Sequence, residues 1–98
     1  MEYVFYCEDT PNSLEKRRSV RPAHIERVKA LKEEGRLVLA GPLLKEDNED
    51  PAVAGVRGSL IIAKFNNIEE AKAWIAADPY VTAEVYANVT VLPFKVML

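Results

Sequence analysis

The chain has 98 residues, of which 49% are apolar and 29% charged; this fits one globular domain, residues 1–98, and excludes a disordered or fibrous chain. A formal charge of −2 argues against nucleic acid or an anionic membrane as the main partner. The single cysteine, Cys7, excludes an internal disulfide and a cysteine-based zinc site. No apolar run is long enough for a membrane span, and Met1-Glu2-Tyr3-Val4-Phe5 has neither the basic nor the apolar region of a signal peptide. A cytoplasmic protein is expected.

In chain order, Tyr3-Val4-Phe5-Tyr6-Cys7 is aromatic and β-branched and predicts a strand. Thr10-Pro11-Asn12-Ser13 is turn chemistry, and Asn12 with Glu15 has the spacing of a capping box. A helical stretch runs from there to Glu34, with Gly35 as its C-cap. Pro22 divides it, by expectation, into a short helix and a longer one carrying proline in its first turn. Arg36 to Ala40 predicts a second strand ended by Gly41-Pro42, and residues 45–57 an acidic loop. Gly58 to Phe65 predicts the third strand, and Ile68 to Ala77 a helix with Ile68, Ala71 and Ile75 on one face. Asp78-Pro79 stops that helix, Tyr80 to Tyr86 predicts a short helical turn, and Val89 to Val96 the last strand.

The order strand–helix–strand, strand–helix–strand predicts a ferredoxin-like βαββαβ α+β sandwich, a four-stranded antiparallel sheet with its helices on one face. Alternation puts Tyr3, Phe5 and Cys7 opposite Val4 and Tyr6, Leu37 and Leu39 opposite Val38 and Ala40, and Leu60 and Ile62 opposite Ile61, Ala63 and Phe65. Neither face is polar, yet the helices cover only one. A homodimer packed sheet to sheet is therefore expected. A monomer covered by Phe94-Lys95-Val96-Met97-Leu98 is the other solution.

His24, the lone histidine, shares a helical stripe with Val20, Val28 and Leu31, and so points toward the sheet. There it is either a core-edge group satisfied by a carbonyl or water, or a general base. Asp78 extends the apolar stripe of Ile75, but before Pro79 it is also a good N-cap. If the two side chains meet, the carboxylate orients and polarises the imidazole. Among Lys16, Arg17, Arg18 and Arg21, a solvated face competes with a guanidinium turned inward to hold a carboxylate or enolate oxygen. Spacing makes Arg18 and Arg21 the candidate pair; Ser13 and Ser19 are ligand donors or caps. Cys7 reads as a packed small apolar residue. The acidic loop lacks the spacing of a calcium site, and the glycines form no phosphate loop.

Ser13-Leu14-Glu15-Lys16-Arg17, Val20-Arg21-Pro22-Ala23-His24, Gly35-Arg36-Leu37, Ala40-Gly41-Pro42, Ala77-Asp78-Pro79-Tyr80 and Pro93-Phe94-Lys95 together resemble the YciI-like (YCII-related) family. The resemblance runs end to end, with Arg-Pro-Ala-His and Ala-Asp-Pro-Tyr as its most specific blocks. It implies a dimeric α+β barrel and a pocket built around a histidine and an aspartate, here His24 and Asp78, with Tyr80 in the same block. One member dehydrochlorinates a chlorinated hydroxyhydroquinone, which implies lyase or isomerase proton transfer on an aromatic or enolic metabolite. In that reading Arg18, Arg21, Ser19 and Tyr80 bind the small-molecule ligand, with no metal and no cofactor. A non-catalytic metabolite-binding or structural dimer is the alternative. The chain departs from the family pattern at Arg18, where leucine is common, and at Lys95-Val96-Met97-Leu98, which lacks a second lysine and an aromatic.

Overall fold

A computed structural model describes residues 1–98. Its elements are β1 (Glu2–Asp9), α1 (Leu14–Glu33), β2 (Leu37–Leu44), α2 (Pro51–Ala54), β3 (Val56–Lys64), α3 (Ile68–Ala76), α4 (Pro79–Thr82) and β4 (Tyr86–Phe94). The sheet order is β2-β3-β1-β4 with every neighbouring pair antiparallel, the ferredoxin-like arrangement expected. Tyr3, Phe5 and Cys7 of β1 and Ile61 and Ala63 of β3 form the helix-facing rows, where Leu31, Ala71, Ile75 and Tyr80 seal them. Phe5 anchors this core with its ring centroid 5.7 Å from Phe65 and 5.4 Å from Trp74.

Several boundaries differ from the sequence expectation. α1 is one helix through Pro22, not two. Proline cannot donate to the Arg18 carbonyl, but both residues are exposed, so water can satisfy that oxygen. The N-cap is Ser13 and its hydroxyl does not cap the helix; Asn12 instead takes a left-handed φ of 56° in the turn, so no capping box forms. β2 continues through Gly41-Pro42 to Leu44 because it is an edge strand, where a missing N–H costs nothing to the ladder. The acidic loop contains the one-turn α2, started by the Asp50 carboxylate accepting from the Ala52 N–H at 3.0 Å. The turn predicted over Tyr80 to Tyr86 closes by Thr82, and β4 starts earlier, at Tyr86, where a register shift after Glu8 lets Asp9 pair with it.

A second irregularity alters the faces. Leu37 pairs with Ala63 but Leu39 pairs with Ile62, so a bulge at Val38 turns Leu37 and Leu39 to opposite sides instead of the same side. The face away from the helices thus carries Val4, Leu39, Leu60, Ile62 and Leu92. Leu39 remains 46% and Leu92 53% exposed, and Val96, Met97 and Leu98 do not lie over them as a lid, being exposed themselves.

Candidate active site

The 20-residue α1 carries its buried side chains on one stripe. Arg17, His24, Val28 and Leu31 recur at helical spacing and are its buried residues. Asp78 sits where α3 ends and α4 begins, with Pro79 at the first helical position. Its carboxylate is fully buried and accepts three donors. Oδ1 receives the His24 Nδ1 hydrogen at 2.8 Å and the Tyr80 backbone N–H at 2.9 Å; Oδ2 receives Arg27 Nη1 at 2.9 Å. The cap and the histidine partner are thus one group.

An ionised carboxylate only accepts, so the imidazole carries its proton on Nδ1, leaving the Nε2 lone pair without a protein donor. The ring stacks on Tyr80 with centroids 3.9 Å apart and planes 11° from parallel, which fixes its plane. Arg27 is itself held by the Trp74 carbonyl at 2.8 Å and lies 4.7 Å from the Trp74 ring centroid.

A second buried network adjoins the first. Arg17 donates Nε to Asp9 Oδ2 at 2.6 Å and Nη2 to Asp9 Oδ1 at 2.8 Å, and Nη2 also reaches Ser59 Oγ at 3.0 Å. Ser13 Oγ donates to the same aspartate at 2.6 Å. Burial by itself would weaken the charged form of Arg17, but the paired Asp9 carboxylate outweighs it and raises its pKa. The Arg17 guanidinium carbon lies 4.9 Å from the Tyr80 ring centroid and 5.9 Å from that of Tyr86. Burial raises the pKa of both phenols, and it pushes the neighbouring Cys7 thiol up to about 12. The buried Tyr86 hydroxyl lies beside Ser59 and Cys7, with no group in good hydrogen-bonding geometry.

Between α1, the β2–β3 half of the sheet and α2 lies a cleft of about 420 Å³. His24, Tyr80, Arg18 and Arg21 all line it, and Asp78 stands directly behind His24. Ser19 does not line it: its exposed hydroxyl donates to the Lys16 carbonyl at 3.0 Å. The sequence reading weighs Arg17 only within its basic group and prefers Arg18 and Arg21, whereas Arg17 is the buried one; Asp9, Ser59 and Arg27 it does not single out. Arg17 could have been found, because it is seven residues before His24 and lies on the same helical face. Asp9, Ser59 and Arg27 carried no comparable signal, since their partners lie 8, 42 and 51 residues away. No group of three or more His, Cys, Asp or Glu side chains converges as a metal site.

The sequence pattern of the YCII-related domain matches residues 1–95. Protein YciI of Escherichia coli O6:H1 is 55% identical over 95 residues, 97% of each chain, and an uncharacterized protein of Haemophilus influenzae is 53% identical over the same share. Among solved structures, the 5-chloro-2-hydroxyhydroquinone dehydrochlorinase TftG from Burkholderia phenoliruptrix AC1100, in complex with 2,5-dihydroxybenzoquinone, superposes with a TM-score of 0.86 at 25% identity. That likeness covers 97% of this chain and 94% of TftG.

Proposed function

The chain belongs to the YCII-related domain family, and on that footing we propose that it is a cofactor-independent enzyme that moves a proton on a small aromatic or enolic metabolite. The observation that carries the reading is the buried 2.8 Å contact between His24 Nδ1 and Asp78 at the wall of the cleft. His24 Nε2 is the general base, and Asp78 fixes the tautomer and stabilises the imidazolium that forms. Arg18 and Arg21, exposed at the cleft and without ion-pair partners, attract the ligand, and Tyr80 holds the imidazole plane. The likeness to TftG supports an elimination. His24 takes a proton from the substrate, the freed electron pair forms a double bond, and chloride leaves, so hydrogen chloride is lost without any redox partner.

The assembly we propose is a homodimer packed through the open sheet face, supported by its uncovered leucines. The setting is the cytoplasm, where a lone buried thiol is stable without a partner. No helix is long and apolar enough to cross a membrane.

The test is chloride release from chlorinated hydroxyhydroquinones by the wild type and by His24→Ala. Turnover falling by about a hundredfold or more in the variant supports the reading; undiminished turnover overturns it. A wild type that binds such compounds but never releases chloride or exchanges a proton is a binding module instead.

A further inference from the structure

The geometry points to a second functional group in the cleft: the Ser59 hydroxyl, held by Arg17, is the hydrogen-bond donor to an anionic oxygen of the ligand. Ser59 interrupts the helix-facing row of β3 just before Ile61 and Ala63, a place where a polar side chain needs a reason. It is 5% exposed, and its Oγ accepts from Arg17 Nη2 at 3.0 Å. That bond uses one lone pair and leaves the hydroxyl proton free to turn either to the neighbouring Tyr86 hydroxyl, itself without a well-placed partner, or to a ligand in the cleft. An anionic oxygen is a stronger acceptor than a neutral phenol, and Ser59 lines the cleft from β3 while His24 lines it from α1.

The sign of the ligand follows from the rest of the wall. Arg17, Arg18 and Arg21 line the cleft and no aspartate or glutamate does, in a chain whose net charge is −2. Asp9 neutralises Arg17, so Arg17 acts by orienting Ser59, while Arg18 and Arg21 make no ion pair and contribute net positive charge. The apolar remainder, including Val28, Ile25 and Ile61, suits a flat carbon framework. The ligand class is therefore a planar enolate or phenolate. This rests on the small-molecule reading above and narrows it, with Ser59 on β3 and His24 on α1 serving different atoms of one molecule.

The probe is 2,5-dihydroxybenzoquinone, whose hydroxyls are vinylogous acids and ionise readily, compared with its neutral di-O-methyl ether. By calorimetry the wild type is expected to prefer the anion. Ser59→Ala should bind the anion about tenfold or more weakly and the ether unchanged, and Ser59→Thr should restore the preference. Should Ser59→Ala fail to fold, the wild type still decides: the Ser59 amide resonance should shift on titration with the anion and not with the ether. Equal binding by Ser59→Ala, no preference in the wild type, or a silent Ser59 resonance overturns the inference. These outcomes are read from binding alone, whereas chloride release reports on His24. Absent chloride release with Ser59-dependent anion binding would instead fell the enzymatic reading and leave this site standing.

Discussion

Asp78 answers to three donors, two side chains of α1 and the Tyr80 N–H of α4, and that is why a residue interpretable as a helix cap also serves as the histidine's partner. Replacing it tests both roles at once. Asp78→Asn keeps an acceptor for the Tyr80 N–H but presents an amide to His24 or Arg27. Stability should fall by about 1–3 kcal/mol, measured by chemical denaturation. Turnover should drop by a factor on the order of 10³, with loss of the Nδ1–H tautomer in nitrogen NMR; an unchanged tautomer would mean that the carboxylate does not set it. Cys7 makes a second residue-scale case. With the thiol pushed up from 9.0 to about 12 in the fold, native protein should not react with a disulfide reagent at neutral or mildly alkaline pH, whereas the denatured chain should. The sign of the linkage follows: the raised value favours the folded state below the unfolded thiol's 9.0, and that contribution is lost as pH rises toward 12.

Two elements depend on backbone detail. Gly58 lies where β1 and β3 approach closely, and a Cβ there would collide with the Cys7 carbonyl oxygen. Gly58→Ala should therefore cost about 1–3 kcal/mol or more, seen as a lower melting temperature; an unchanged one would mean that the strands can separate locally at no cost. Pro22 is the reverse. It sits in the interior of α1, and both it and Arg18, whose carbonyl loses its usual donor, are exposed. Pro22→Ala should raise stability by about 1–3 kcal/mol, less whatever the proline gains by restricting the unfolded chain. Because Pro22 precedes His24 by two residues on an exposed face, chloride release should be unaffected.

For the whole molecule, the proposed assembly rests on the open face of the sheet. Its apolar row runs across all four strands through Leu39, Ile62, Val4 and Leu92, and the C-terminal segment does not cover it. In the proposed dimer, Leu39→Lys with Leu92→Lys should convert the wild-type dimer into a monomer by light scattering. The helix-side network of His24, Asp78 and Arg17 lies on the other face, so the monomer should keep its fold by circular dichroism. A wild type that is monomeric at working concentration would refute the dimer.

Alternation in Tyr3–Cys7 and Leu60–Phe65, and helical spacing in Ile68, Ala71 and Ile75, determined the strand and helix order and the layer that is buried, because local periodicity and burial obey the same geometry. His24 could be placed on an inward face for the same reason. The continuous α1, the Val38 bulge and the course of β2 through Pro42 were not legible, because each depends on which backbone groups face water or a neighbouring strand. Tertiary structure alone joined Arg17 to Asp9 and Ser59 and brought Asp78 to His24 across 54 residues of chain. A charged side chain's direction is set by the partner that compensates its desolvation, and that partner is known only once the chain has folded.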